Sequence, residues 1–217
     1  MKGLLIKDLN LLKGQKLFFI VIIVIAVALL AGQSEPGFVI GYMTFVGGIF
    51  TLSTISYDEF DNGNAFLFSL PITRKGYVGE KYIFGIALGG ALCLLALAIT
   101  LVFGCVNGSF SAKETGLTGV MIFATLLFMI SMMIPFQLKF GGEKGRIAML
   151  IAVGVVILVG YLAEKIAGVF HVDMAAVFDE FSDLSMGVFI AAVYLLALVV
   201  CLISMKISVS IMEKKEF

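Results

Sequence analysis

The stretch SYDEFDNGNAFLFSLPITRKGYVGEK, from Ser56 to Lys81, decides how the rest of the chain is read. It is polar at both ends and separates two apolar runs, 37–55 and 82–105, each long enough to cross a bilayer. Ser56 and Glu59 have the S-x-x-E spacing of a capping box, in which hydroxyl and carboxylate satisfy amides left free at a helix start. The spacing predicts a short helix over 57–70, with Asp58, Glu59, Asp61 and Asn62 in its first half and Phe66, Leu67, Phe68 and Leu70 in its second. Pro71 stops it, because proline lacks an amide proton and pushes the preceding residue out of helical geometry. Thr73 is placed to cap the next helix, and Arg74, Lys75 and Lys81 lead back to the membrane. The expected product is a stiff lever lying across one face of a bilayer.

Composition supports that setting. The chain has 217 residues, 61% hydrophobic and 14% charged, with a mean hydropathy of +1.12, whereas a soluble domain carries about 25% charge. We read it as an all-α membrane protein forming a single transmembrane domain over 1–217. The formal net charge is +0, which gives no reason to expect nucleic acid as a partner. Cys93, Cys105 and Cys201 sit in or at the edge of apolar runs, at spacings that suit neither a disulfide framework nor a metal site. The single His171 has no cysteine or second histidine nearby, so no metal site is expected. The charged N-terminus and the lack of an A-x-A-like site after the first apolar run argue against a removable signal peptide.

Residues 1–16 alternate Leu4, Leu5, Ile6, Leu9, Leu11 and Leu12 with Lys2, Lys7, Asp8, Lys13 and Lys16. Such a pattern suits an interfacial amphipathic helix whose lysines snorkel to water. The plainer alternative, a helical extension of the first span, would bring lysines toward the bilayer centre at about 2.5–3.5 kcal/mol each. Six runs approach the roughly 20 apolar residues of a spanning helix: 17–31, 37–55, 82–105, 117–138, 147–162 and 186–205. The tight connection 32–36 makes the first two an antiparallel hairpin.

Orientation follows from lysine and arginine in the short loops. Thirteen of them fall on the side of the two termini, from Lys2 to Lys16, at Arg74, Lys75, Lys81, Lys139, Lys144 and Arg146, and from Lys206 to Lys215. Only Lys113 and Lys165 fall on the other side. Both termini are therefore expected in the cytoplasm. On the outer side, 163–185 is long and acidic, with Met174, Val177, Phe178, Phe181 and Leu184 recurring at helical spacing after a capping Asp173. That pattern predicts short outer-face helices, either set at an outer gate through Met174, Phe178 and Phe181 or forming a folded loop with no gating role.

The six cores contain no Asp, Glu, Lys, Arg or His. Ion-coupled carriers and voltage sensors place ionisable residues at membrane depth, so their absence disfavours an ion-driven secondary carrier. In the second span, Gly41, Thr44, Gly48, Thr51 and Ile55 form one stripe, with Tyr42 and Thr54 adding hydroxyls. Small residues let helices approach closely, so the stripe reads as ordinary helix contact, a dimer seam or a pathway lining. Gly37 with Gly41 and Gly85 with Gly89 form G-x-x-x-G pairs. Pro135 is expected to kink or end the fourth span, beside core-filling Met129, Met132 and Met133. No phosphate loop, zinc spacing or nucleophile with a histidine partner is present, so the chain reads as a non-enzyme.

The run Leu70-Pro71-Ile72-Thr73-Arg74-Lys75, followed by Val78 and Lys81, together with the N-terminal amphipathic segment and six spans, resembles the permease subunits of ABC-2 type transporters. It is similar to their LP-x-[ST]-R signature, and the relatives include bacterial exporters of antimicrobial or cytolytic peptides such as phenol-soluble modulins. The likeness covers essentially the full length, with 56–81 the motif-like part. It implies a membrane dimer with a second permease copy or homologue, seated on separate cytosolic ATPase subunits that bind ATP and Mg, while this chain binds no cofactor. The loop after the second span would be the coupling helix. Asp58, Glu59, Phe60, Asp61, Asn62, Phe66, Phe68 and Arg74 would then meet the ATPase, in a multi-pass protein of the bacterial cell membrane surrounded by lipid. The absence of a large extracellular domain departs from larger exporters of the family. Amphipathic or hydrophobic peptides are the expected cargo. A secondary carrier or channel, and a non-transporting immunity or assembly protein, are the competing readings.

Overall fold

The computed structural model describes residues 2–60, 63–107, 111–142, 144, 154 and 186–215. Among these there are seven helices and no strand: α1 Lys2–Gly14, α2 Lys16–Ala31, α3 Pro36–Glu59, α4 Gly63–Ser69, α5 Arg74–Asn107, α6 Ala112–Phe140 and α7 Met186–Lys214. The expected fifth span, 147–162, and the outer-face segment 163–185 with Met174, Phe178 and Phe181 lie outside the described residues.

Helix boundaries follow from local chemistry. α2 is an almost unbroken aliphatic run, and it ends in a Schellman turn. The Ser34 amide donates to the Leu29 carbonyl and the Gln33 amide to that of Leu30, both at 3.0 Å. Gln33 takes the left-handed conformation there, at φ 60°. Pro36 then opens α3 at its first turn, where its missing amide costs nothing. The hairpin expected at 32–36 is thus made by this turn. Thr73 caps α5 as its position suggests, its Oγ1 accepting the Gly76 amide at 3.1 Å.

Among the described residues four helices, α3, α5, α6 and α7, are long and apolar enough to cross a membrane, and a further span results if the bent pair α1–α2 counts as one. Of the six expected spans, four correspond to these helices and the first to the bent pair α1–α2, while the fifth lies outside the described residues. α2 alone has only 16 residues, short of the roughly 20 that a span needs, and the axis turns by 64° between α1 and α2. Pro135 lies inside α6, which continues to Phe140, so the proline does not end that helix. The helix expected over 57–70 is also corrected. Its first turn belongs to α3, and only Gly63–Ser69 forms a separate helix. The S-x-x-E pattern does not cap here because the backbone is already helical when it reaches Ser56, whose hydroxyl donates back to the Leu52 carbonyl at 3.1 Å.

α3 is the central rod, packed against α2, α5 and α6, while α7 lies along α6 and α5. Close approach of α3 and α5 depends on glycine. A Cβ on Gly47 would fall 2.9 Å from the Gly89 Cα, and one on Gly85 would fall 3.0 Å from Thr51 Oγ1. The Gly85/Gly89 pair therefore belongs to a seam within the chain. α7 is fastened by hydroxyls: Tyr82 OH bonds Ser204 Oγ at 2.6 Å and Ser208 Oγ at 2.9 Å, and Ser204 donates to the Ser131 carbonyl of α6. Outward faces of α2 and α7 are aliphatic, with Leu17 and Leu195 among their most exposed residues. Gly47→Val is expected to lower stability by about 1–3 kcal/mol, because the obstacle is backbone that cannot move aside. Gly41→Ala, with nothing within 4 Å of the added carbon, is expected to be silent. Thermal unfolding of the detergent-solubilised protein distinguishes the two.

Candidate functional site

One end of the bundle gathers α1, the end of α3, α4, the start of α5 and the end of α7. The α3–α5 connection is built by close backbone contacts. α3 stops where Phe60 turns to extended geometry, and α4 begins at Gly63, where a Cβ would lie 2.7 Å from the Asp58 carbonyl oxygen. At 34 residues, α5 is about 50 Å long, well over the roughly 30 Å hydrocarbon thickness. Its first turns can therefore stand beyond the apolar layer and carry charge.

Charge is what they carry. Lys81 is fully buried, with its Nζ 2.5 Å from Asp8 Oδ2, 2.9 Å from Asp58 Oδ2 and 3.7 Å from Glu80 Oε2. It also donates to Thr54 Oγ1 at 3.1 Å and lies 5.3 Å from the centre of the Tyr77 ring. Lys7 pairs with Asp58 and reaches Asp8 Oδ1 at 3.2 Å, and the Tyr77 hydroxyl donates to Asp58 Oδ2 at 3.1 Å. Two lysines and three carboxylates from α1, α3 and α5 thus converge, all buried except Lys7, whose side chain is 34% exposed. Glu80 differs in that neither of its buried oxygens receives a hydrogen bond.

A second set of contacts ties in the C-terminus. The Arg74 guanidinium donates to the carbonyls of Met212, Glu213 and Lys215, the oxygens that a helix end leaves free. Lys215 Nζ pairs with Glu59 at 2.9 Å and donates to the Leu138 carbonyl at 3.2 Å. Gln137 of α6 donates to Ser56 Oγ at 3.0 Å. Phe68 packs edge-on to Tyr77, centroids 5.6 Å apart, with the Arg74 guanidinium 5.8 Å from its ring centre.

The residues singled out from the sequence therefore separate. Phe60 and Phe66 project outward, each 71% exposed. Asp58, Glu59 and Arg74 face inward and hold the chain to itself, Phe68 is half-buried, and Asp61 and Asn62 lie outside the described residues. Of the second-span stripe, Thr51 and Thr54 are fully buried within the chain. Gly48 faces Met129 and Leu126 of α6. Gly41, Tyr42 and Thr44 line an open cleft of about 540 Å³ between α3 and α6. Sequence reasoning missed Lys7, Asp8, Tyr77, Glu80 and Lys81 as a group. The one usable signal was Asp8, a lone acid among the lysines of 1–16. Among the described residues no cluster of three His, Cys, Asp or Glu side chains suits a metal ion.

Long apolar helices with most of their charges collected at one end define a multi-pass helical membrane protein. The family described as "ABC-2 family transporter protein" matches residues 3–213, and the chain belongs to that family as a membrane permease of an ABC transporter. No curated protein and no solved structure matches it. Removing one partner from the ion cluster strands the others, so Lys81→Met is expected to destabilise by about 3–5 kcal/mol and to release α1. Asp8→Asn combined with Lys81→Met leaves the Lys7–Asp58 pair balanced and is expected to recover part of that loss. Denaturation in micelles and amide exchange across α1 read both effects, and unchanged α1 protection in Lys81→Met would refute the clamp.

Proposed function

We propose that this chain is the membrane subunit of an ATP-driven exporter, working as a dimer with a second permease copy or homologue. Separate cytosolic subunits hold and hydrolyse ATP with Mg. The observation that carries the reading is the α3–α5 connection of a family member, which offers Phe60 and Phe66 to solvent while both of its stems are fixed by the Lys81 cluster. Exposed aromatic anchors on a rigid support are what a partner cleft can grip.

In this mechanism the connection faces the cytoplasm, together with both termini, in a bacterial cell membrane, as the loop charge bias favours. α1 lies at the interface, where its exposed Ile6 and Leu9 meet lipid. Nucleotide-driven movement of the ATPase displaces α4, and α3 and α5 tilt with it as one body. Such coupling requires only that the two ATPase states contact the connection differently. Amphipathic or hydrophobic peptides are the cargo that suits apolar walls with scattered hydroxyls such as Tyr42 and Thr44.

Phe60→Ala combined with Phe66→Ala is expected to weaken capture of the ATPase at least about tenfold, the size of a lost interface anchor, without shifting the melting temperature. Pull-down of the partner and ATP-dependent peptide uptake into inverted vesicles check this. Full capture and uptake by the double variant would sink the docking assignment. Uptake of an ion or sugar but no peptide would sink the cargo.

A further inference from the structure

At the same end of the bundle as the α3–α5 connection, the ends of α6 and α7 form an open trough of about 680 Å³. Its walls are Pro135, Phe136 and Phe140 on one side and Ile207 and Ile211 on the other. Lys139 and Lys214, from the last turns of the two helices, also line the trough. Lys215 also borders it, but its ammonium is taken up by Glu59 and the Leu138 carbonyl. Among the described residues, Lys139 and Lys214 have no carboxylate within 4.0 Å, and the Lys139 ammonium lies over the Phe140 ring, 5.1 Å from its centre, at the rim. Two helix C-termini contribute together about one negative charge, so two free ammonium groups leave the rim positive.

We propose that this trough is a binding site for an anionic phospholipid, with an acyl chain against Phe136, Ile207 and Ile211 and the phosphate between Lys139 and Lys214. Charge complementarity selects the occupant. Apolar walls alone would accept any chain, but a cationic rim at the end of two spanning helices matches the depth and sign of an anionic headgroup. The site is also continuous with the aliphatic outer face of α7, where Leu202 and Ile203 are exposed, so lipid reaches it without crossing a polar surface. A peptide cargo or a second copy of the chain would fill the same walls without needing the two free ammonium groups.

The inference does not depend on ATPase coupling and is tested on the full chain alone. Native mass spectrometry of the protein in mild detergent, mixed with phosphatidylglycerol and phosphatidylcholine of identical acyl chains, should show about thirtyfold better retention of the anionic lipid, as expected for two lysines at roughly 1 kcal/mol each. Lys139→Gln with Lys214→Gln should bring that ratio close to one, whereas Lys113→Gln, at the far end of α6, should leave it unchanged. Ile207→Trp fills the trough while keeping both lysines and should lower retention. Equal retention of the two lipids by the unaltered protein would overturn the proposal, as would an undiminished preference in the double variant. Protection of the trough only upon self-association would assign it to a second copy instead.

Discussion

The structure depends on one buried cation. An ammonium without access to water is tolerated only where carboxylates and further hydrogen bonds replace its hydration. Lys81, on α5, finds those groups on α1 and α3, at Asp8, at Asp58 and at Thr54 one turn earlier. None of the three helices can move away alone without exposing a charge to an apolar environment. Such a cluster adds little net stability compared with a well-packed apolar core, but it penalises every arrangement in which α1, α3 and α5 are out of register. Its product is a defined geometry more than a large free energy.

That geometry extends through weaker ties to the rest of the same end. Arg74 holds the last carbonyls of α7, Lys215 links them to Glu59, and Gln137 joins α6 to Ser56. The end that carries the α3–α5 connection is therefore a single body with contributions from five helices. The opposite half of the bundle is held differently, by glycine contacts such as Gly47 on Gly89 and by hydrophobic side chains around Met43 and Ala96. Non-directional contacts of that kind allow small sliding motions that an ion cluster resists.

Hydropathy exposed the long helices because burial in lipid demands an apolar run of fixed length, and α3, α5, α6 and α7 each meet that demand within their own sequence. The ion cluster was not legible for the complementary reason. Its partners are 73 residues apart for Lys81 and Asp8 and 51 for Lys7 and Asp58, so no local spacing links them. Lys81 also stands one residue before the apolar run 82–105 and reads as a flanking charge. The S-x-x-E signal at Ser56 misled because a capping pattern has meaning only where a helix begins, and here α3 runs through it. The likeness to the family sets Asp58 against the ATPase, whereas the lysines of α1 and α5 turn it inward. Phe60 and Phe66, aromatic residues in a polar loop, are the two described members of that group that the structure leaves exposed.

The unequal anchoring of α3 bears on how a displacement would travel. Its lower half, from Thr51 to Asp58, is buried and tied to Lys81. Its upper half borders the cleft at Gly41, Tyr42 and Thr44, and Gly41 has no atom within 4 Å of where a side chain would be. A helix of 24 residues is about 36 Å long, so a tilt of about 5° imposed at the anchored end moves the far end by about 3 Å. The anchored end can transmit such a tilt without deforming, because its ion pairs move together. The cleft can absorb it, because its walls are apolar and have room to slide. Small residues along α3 thus give close contact with α5 at Gly47 and Thr51 and leave open space beside α6 at Gly41.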